Sequence, residues 1–447
     1  MVKFSSADPR TSARGEWLFD QIVATGTLVM RDLGGGRDGE MAAHRYLSSP
    51  YVSAGIIVDA LSERTRHAAT GRRVVVAQDT TEINFSGRSA ARQGLGPGGD
   101  GSSPGFFIHP NVVIDADEEA MLGLVGCQIW TRADGKVGVR QKRAAEDKES
   151  IRWAQGALNA ATLVDHARQI IDVSDREGDV WRHIAHRPQG VELAIRVRHN
   201  RALEGGTALF TALADRPELA TTLVRVAPQK IGEKARVAKV VLRAGKVRIK
   251  RPATAPRTDP EILEIGLVEA IEQDADKAVE PLLWRILTTL PVDTADDAQE
   301  VVRLYRLRWR IEEVFRALKK DGLALEDTQI QQAERLFRLA ALALGAAVRI
   351  IQLVDARDGG SRPMSDVLDP ALMPQVAILV RAREGATPKQ QNPHPQGSLA
   401  WLSWVVARYG GWNCYGKPPG PKTMAKGWQR FSSTLAGVVL ATATELP

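Results

Sequence analysis

The stretch Tyr305–Lys320, YRLRWRIEEVFRALKK, decides how the rest of the chain is interpreted. No Gly or Pro interrupts it and good helix formers dominate, so it predicts a single helix. At about 100° per residue, its apolar side chains fall on one side and predict a stripe that faces the core. The stripe consists of Leu304, Leu307, Ile311, Phe315 and Leu318.

A second, polar stripe runs along the edge of the apolar one. It combines Tyr305, Arg308, Glu312 and Lys319, whereas Glu313 is turned about 100° away. An acid with Arg one turn before it and Lys two turns after it suits an anionic ligand held by a metal. For this stretch alone, a charge-paired surface helix is the simpler interpretation. The rest of the chain favours the anionic ligand.

Length and composition indicate the class of protein. With 447 residues, 44% of them apolar and 25% charged, the chain predicts two or three domains with a sizeable core. No apolar run approaches the roughly eighteen residues of a membrane span, and the first residues lack a secretory signal. The two cysteines, Cys127 and Cys414, lie far apart. They indicate a reducing compartment without structural disulfides or zinc, so we expect a cytoplasmic protein without membrane contact.

The basic residues are unevenly distributed. The net charge of +7 and the pI near 9.4 favour a polyanionic partner. Between Arg225 and Arg251, ten basic residues face one acid, and KVRIK (246–250) alternates basic and apolar residues as a strand would. This ribbon predicts either a phosphate-binding strand or an edge strand protected by Lys, and both remain open. The first 70 residues are also basic and predict short helices, Glu16–Arg31, Ala42–Leu47 and Ser53–Ala69, of a DNA-binding region.

Two buried strands each end at an exposed aspartate. Arg73–Gln78 ends at Asp79, and with the later runs Phe106–Ile114 and Met121–Trp130 it predicts an antiparallel meander. After a helix at Ala144–His166, the strand Gln169–Ser174 ends at Asp175. Active sites often lie just past strand ends, although each Asp alone is more simply a turn or helix cap.

Three carboxylates thus stand out: Asp79, Asp175 and Glu312. Hard divalent cations take carboxylate oxygens, and a pair of such ions supports phosphoryl transfer. Nearby Arg and Lys would hold the scissile phosphate. Glu177 and Asp179 are left out of this set, because Asp179 is expected to begin the following helix. His183 and His186 form the one close histidine pair and are expected on the surface of that short helix.

The motifs resemble those of bacterial insertion-sequence transposases. Tyr305-x2-Arg308-x3-Glu312-x6-Lys319 resembles the Y-R-E-K signature of the IS-four family, within the DDE superfamily. Asp79-Thr80-Thr81 resembles its first-acid motif and the segment Asp175–Asp179 its second. The loop GLGPGGDGSSPGFFIHP (94–110) resembles the segment that leads into the second strand. The resemblance covers roughly residues 70–430.

The resemblance implies roles for individual residues. Asp79, Asp175 and Glu312 would bind Mg²⁺ or Mn²⁺, as two ions, while Tyr305, Arg308 and Lys319 would contact phosphates near the transposon end. Arg196 and Arg198 would be basic residues near the active site. Trp284 would stack on a flipped base. The alternative, that Trp284 is a core aromatic of the strand LLWRIL, is equally well supported. The C-terminal GGW…PPGPKTMAKGW segment would support dimerisation.

The predicted fold class is α/β, an RNase H-like core with a mixed sheet flanked by helices. We expect a helical DNA-binding region at 1–70, core at 71–187, a β-rich insertion at 188–290, core again at 291–355 and a helical dimerisation region at 356–447. The resemblance implies a homodimeric cut-and-paste transposase in the bacterial nucleoid. It would act on double-stranded transposon ends and target DNA, by nicking, hairpin formation and opening, and strand transfer. The alternatives are a catalytically silent DNA-binding derivative or transposition inhibitor, and a nuclease that never joins strands.

Overall fold

The computed structural model describes residues 4, 8–85, 92–99, 103–132, 151–226, 236–273, 275, 280–320 and 323–444. The chain divides into two compact units, each assembled from segments distant in sequence. The helical unit comprises Met1–Thr70, Thr80–Gly138 and Arg310–Pro447. The sheet unit comprises Gly71–Asp79 and Val139–Trp309.

The strands of the described residues are, in chain order, β1 (Arg73–Gln78), β2 (Thr81–Asn84), β3 (Gly96–Pro97), β4 (Pro104–Asp115), β5 (Met121–Trp130), β6 (Gln169–Ser174), β7 (Val191–Arg196), β8 (Ala220–Val226), β9 (Arg236–Lys250), β10 (Ile262–Glu272) and β11 (Leu283–Thr288). The α-helices are α1 (Pro9–Thr25), α2 (Met30–Gly34), α3 (Arg37–Leu47), α4 (Ala54–Ala69), α5 (Ile151–Leu163), α6 (Trp181–Ala185), α7 (Ala295–Arg306), α8 (Arg310–Lys319), α9 (Ala333–Ala356), α10 (Met373–Arg381), α11 (Leu399–Tyr409) and α12 (Pro421–Thr444).

The sheet unit is built on a mixed sheet in the order β1-β6-β7-β11-β10-β9-β8. β1, β6 and β7 run parallel, and the pairs that follow are antiparallel. The parallel strands read as near-continuous apolar runs, as strands covered on both faces do. Helices α5 and α7 pack on these strands. The predicted α/β class, with an RNase H-like mixed sheet flanked by helices, is confirmed.

The parallel pairing of β1 with β6 was not predicted from the sequence. β4 and β5 do pair antiparallel, with Ile108 opposite Ile129. β1, however, takes β6, almost a hundred residues later, as a parallel partner. A parallel pair needs a long crossover connection, so adjacent strand signals in the sequence do not reveal it.

The strands between residues 220 and 288 extend the same sheet. β9 is a single strand of 15 residues. The alternation expected for KVRIK is present, since Val247 and Ile249 are buried and the three basic side chains that alternate with them are exposed. β10 pairs with β9 from Val240 to Lys250, whereas β8 pairs with it only from Arg236 to Leu242. Both interpretations of the KVRIK segment therefore stay predictions. Arg225's side chain, Lys230 and Lys234 lie outside the described residues, as does the beginning of the predicted helix Ala144–His166.

The helical unit is centred on α9, a 24-residue Ala/Leu-rich helix. It packs against α1, α4, α8, α11, α12 and β5. Within the described part of the chain it is the one helix long and apolar enough to cross a membrane, but 83% of its most apolar window is buried inside the protein. The expectation that no apolar run reaches such a length is therefore wrong. The burial of this run shows that it is a core helix of the protein.

The N-terminal helices differ from their predicted bounds where glycine ends a helix. The predicted helix Glu16–Arg31 is two helices, α1 and α2. Gly26 adopts a left-handed φ of 64°, and its N–H bonds to the Ile22 carbonyl, which ends α1. The side chain of Asp8 caps the other end, accepting from the N–H groups of Arg10 and Thr11.

The stretch Tyr305–Lys320 is not one helix. α7 ends at Arg306, a 3-10 turn spans Leu307–Trp309, and α8 begins at Arg310. The five residues of the predicted apolar stripe are all buried. Tyr305 is also buried, at 4% exposure, instead of lying at the edge of the stripe. A 3-10 turn advances by three residues per turn, so the side-chain directions derived for a continuous helix do not carry across it.

Packing of α12 on α11 predicts a contrast between two glycines of α12. A Cβ at Gly427 would lie 2.0 Å from the backbone oxygen of Val406, whereas one at Gly437 meets nothing within 4 Å. Gly427→Ala should therefore lower the free energy of unfolding by about 1–3 kcal/mol. Gly437→Ala should leave it unchanged or raise it by up to about 1 kcal/mol, since Ala favours helix. Urea unfolding of both variants checks this, and equal effects would contradict the close helix contact.

Candidate active site

Asp79 and Asp175 occupy equivalent positions at the ends of two neighbouring strands. The parallel register of β1 and β6 pairs Val76 with Asp172 and Ala77 with Val173. Each aspartate therefore follows its strand's last paired residue by the same two positions. Because parallel strands end at the same edge of a sheet, both carboxylates lie at that edge. Active sites of α/β proteins lie at the carboxyl ends of such strands.

Asp175 is held by the turn that follows it. Its side chain accepts a hydrogen bond of 2.8 Å from the N–H of Glu177 and caps the 3-10 turn Arg176–Gly178. A Cβ at Gly178 would lie 2.1 Å from the Ser174 hydroxyl oxygen, so this tight turn requires glycine. Asp175 thus forms the cap expected of an isolated Asp, and it is also at the sheet edge beside Asp79.

Asp79 forms an ion pair with Arg308. The Nη1 of Arg308 lies 2.7 Å from Oδ2 of Asp79, and both side chains are 13% exposed. A charge-assisted hydrogen bond of this length is among the stronger polar contacts in proteins. The predicted phosphate ligand Arg308 thus contacts the first predicted acid directly.

Tyr305 lies buried among the charged groups of the sheet unit. Burial raises the pKa of its phenol, the charges of Arg308 and Arg196 oppose that rise, and Asp175 adds to it. Burial lowers the pKa of Arg196, and Tyr305 opposes that shift. The buried phenol thus interacts electrostatically with both arginines and with Asp175.

Trp284 packs against Tyr305. Their ring centroids are 5.2 Å apart at an interplanar angle of 69°, an edge-to-face contact. Trp284 is half-buried. Its place beside Tyr305 gives it a packing role, and its role in base stacking stays a prediction.

A cleft of about 560 Å³ opens beside Asp175. Its lining is dominated by four arginines and two acids: Arg176, Arg196, Arg198, Arg285, Asp175 and Glu177. Arg285 is held by Glu269 at 2.5 Å and stacks over Phe210, 4.6 Å from the ring centroid. Such a concentration of planar guanidinium groups suits phosphate oxygens.

Arg176, Arg285 and Phe210 were not predicted from the sequence. Arg176 follows the second acid and Arg285 follows Trp284, so both were adjacent to residues that the sequence analysis singled out. Phe210 lies in a 3-10 turn between β7 and β8 and carries no sequence signal of this kind.

Asp179 does not begin α6, contrary to expectation; Val180 holds that position. Asp179 is 2% exposed and accepts hydrogen bonds from the N–H groups of Arg198 (2.7 Å) and His199 (2.8 Å). It also pairs with Arg201. A buried carboxylate needs such partners, and here they come from the chain after β7. Asp179 therefore fixes the backbone that carries Arg198 into the cleft.

Glu312 and Lys319 belong to the helical unit. Glu312 is half-buried in the first turn of α8. The Nζ of Lys319 lies 3.6 Å from a carboxylate oxygen of Glu326. The adjacent Glu313 pairs with Arg310 at 2.6 Å, and burial raises the pKa of its carboxyl.

The donor atoms at the sheet edge fit a divalent cation in part. Asp79 and Asp175 supply carboxylate oxygens, the ligands that Mg²⁺ prefers. Throughout the described ranges, no group of three or more His, Cys, Asp and Glu side chains is arranged as a metal site. Two carboxylates are therefore the donor set that the sheet unit offers.

Residues 178–349 match the transposase DDE domain family. The matched residues include Arg196, Arg198, Trp284 and the whole polar stripe from Tyr305 to Lys319. Asp79 and Asp175 precede them. The match supports a transposase of the DDE class, the coarser part of the resemblance drawn from the sequence motifs.

Burial of Tyr305 predicts how the protein responds to alkaline pH. Its pKa is raised in the folded state above the ordinary value of 10.0. The contribution of the neutral phenol to stability is therefore complete below pH 10 and is lost as the pH rises through the folded pKa. In the folded state, the tyrosinate absorbance of wild type and of Tyr305→Phe should coincide up to pH 10, because the buried phenol does not ionise. In the unfolded state, the absorbance of wild type should exceed that of Tyr305→Phe, because the phenol of Tyr305 is then free to ionise. A difference between the folded proteins below pH 10 would contradict the burial.

Proposed function

We propose that this chain is a metal-dependent cut-and-paste transposase of the IS-four family, similar to the transposase of transposon Tn-five. The observation that carries the proposal is the matched position of Asp79 and Asp175 past two neighbouring parallel strands, beside an arginine-lined cleft. The transposase DDE domain over residues 178–349 supports the same class of activity. The proposed reaction is nicking at the transposon end, hairpin formation and opening, and strand transfer.

Asp79, Asp175 and Glu312 are proposed as the carboxylates that hold Mg²⁺ or Mn²⁺. When bound, such ions neutralise the charge that develops on a transferring phosphoryl group. Arg308 holds the Asp79 carboxylate in place by its 2.7 Å contact. Asp175 is held by the N–H of Glu177, so its carboxylate is fixed by the backbone.

The basic side chains are proposed to bind the DNA backbone. Arg196 and Arg198 line the cleft with Arg285, and the guanidinium fork matches phosphate oxygens. Tyr305, Arg308 and Lys319 are proposed to contact phosphates near the cleaved end. Trp284 is proposed to stack on a base displaced from the duplex, where stacking returns about 1–3 kcal/mol.

The DNA partners, the cellular compartment and the roles of the domains are proposed from the same family resemblance. The DNA partners are paired transposon ends and target DNA, in the cytoplasm of a bacterium. Residues 1–70 would help recognise the ends. The segment 356–447 would support a homodimer. The parts 71–187 and 291–355 would form the catalytic core, with 188–290 as its β insertion.

Cleavage of a supercoiled plasmid that carries the element's own flanking DNA tests the three acids. The nicking rate should fall at least about 100-fold in each of three variants, Asp79→Asn, Asp175→Asn and Glu312→Gln. Each substitution removes a negatively charged ligand of the cation. The matched control is Asp215→Asn, an exposed aspartate of the sheet unit outside the cleft. Its rate should equal that of wild type.

The products distinguish the alternatives. Joined strands support the transposase, and nicks without joined strands indicate a nuclease. End binding without any cut indicates a silent DNA-binding derivative. Equal rates for wild type and the three acid variants would contradict the proposed residues.

The cleft predicts a specific salt dependence of DNA binding. Replacing Arg198 by Ala should reduce the slope of log K against log salt by about 0.9, the value for one lost phosphate contact on duplex DNA. Arg182→Ala is the control, because Arg182 is an exposed arginine of α6 outside the cleft lining. Fluorescence anisotropy at several salt concentrations gives both slopes, and equal slopes would exclude Arg198 from phosphate binding.

A further inference from the structure

An aspartate and a histidine lie side by side, fully buried, near the candidate active site. Asp172 is in the middle of β6, paired with Val76 on one side and Leu193 on the other. The Nε2 of His183, on α6, lies 3.3 Å from its Oδ1, and both side chains have 0% exposure. His183 was expected on the surface, and this burial overturns that expectation. Asp is rare inside a central strand, so its place there requires a reason.

His183 presents both ring nitrogens to oxygen atoms. Its Nδ1 lies 3.1 Å from the carbonyl oxygen of Gly178, which only accepts. Its Nε2 faces the Asp172 carboxylate. Because a carbonyl oxygen only accepts, Nδ1 donates to Gly178 and Nε2 is the ring atom left for Asp172. A buried polar pair of this kind seldom adds stability over apolar packing, but it can fix geometry.

The other carboxylate oxygen of Asp172 reaches the first acid-bearing strand. The side-chain amide of Gln78 donates to Oδ2 of Asp172 and, at 3.2 Å, to the carbonyl of Trp153. Gln78 is the last residue of β1 and immediately precedes Asp79. The network thus begins one residue before the first acid.

The same network ends in the turn of the second acid. Gly178, which accepts from His183, closes the 3-10 turn that Asp175 caps. The Gly178 N–H also bonds to the Asp175 carbonyl at 3.1 Å. Gln78, Asp172, His183 and Gly178 therefore form a continuous buried connection between the segments of Asp79 and Asp175.

We propose that the buried pair Asp172–His183 is the positioning element that sets the spacing of Asp79 and Asp175. This inference rests on the proposed function. Neither residue touches solvent, so neither binds DNA, a cation or the reacting atoms. Residues that hydrogen-bond to metal ligands and orient them contribute to function without touching the metal. Their mutation typically lowers metal affinity or activity about 10–100-fold. The sequence analysis assigned no role to Gln78, Asp172 or His183.

Four measurements on His183→Gln test the proposal, with His186→Gln as the matched control. His186 is exposed and lies three residues away, hydrogen-bonded to Asp259.

In His183→Gln, Mn²⁺ affinity by electron paramagnetic resonance and the nicking rate should each fall about 10–100-fold. DNA binding by anisotropy should stay unchanged. Hydrogen exchange should accelerate in residues 77–80 and 175–179 but not in β9. His186→Gln should match wild type in all four.

A second variant distinguishes loss of positioning from loss of folding. Asp172→Asn keeps the shape of the side chain and removes its charge, and it should give the same losses. The double variant should lose no more than either single one, because both act through one connection. Unchanged Mn²⁺ affinity, nicking and exchange in folded Asp172→Asn or His183→Gln would overturn the positioning role. So would an equal loss of DNA binding.

The exchange measurement separates this inference from the proposed function. If wild type neither binds Mn²⁺ nor nicks DNA, the proposed function fails. Selective loosening of both aspartate segments would then still support the positioning role. Absence of selective loosening would overturn it as well.

Discussion

The parallel pairing of β1 with β6 is the constraint on which the rest of the site depends. Its register places Asp79 and Asp175 at the same height past the sheet, although they are almost a hundred residues apart in the chain. Two carboxylates at one edge repel each other unless cationic groups or ligands lie between and around them. Arg308 on Asp79, the backbone N–H on Asp175 and the arginines of the cleft supply that positive surrounding.

Burial differentiates the side chains around these acids. Tyr305 is buried, and burial lowers the pKa of Arg196 while the nearby phenol opposes that shift. Arg198 is exposed in the cleft lining, and Asp179 anchors the backbone that carries it. The two arginines of this strand end therefore differ in their surroundings, one half-buried beside a phenol and one open to solvent.

The sequence was sufficient for the class of fold and for the two strands that end at aspartates. Apolar runs ending at Asp79 and Asp175 marked both strands, and their bounds agree with the structure. The pairing of those strands could not be predicted, because a long crossover separates them and nearer strand signals competed. Tyr305 was placed wrongly because a 3-10 turn at Leu307–Trp309 breaks a stretch without any helix-breaking residue. His183 and Asp179 were placed wrongly because their partners come from β6 and from the segment after β7.

Iron-directed cleavage of the polypeptide tests the central claim, that Asp79 and Asp175 hold one cation site together. Fe²⁺ would replace Mg²⁺ in the full chain, ascorbate and peroxide would generate radicals at the ion, and mass spectrometry would map the breaks. The account predicts breaks near both Asp79 and Asp175, suppressed by excess Mg²⁺ and lost from both positions in Asp79→Asn. Breaks near one aspartate alone, or breaks that persist in that variant, would contradict it.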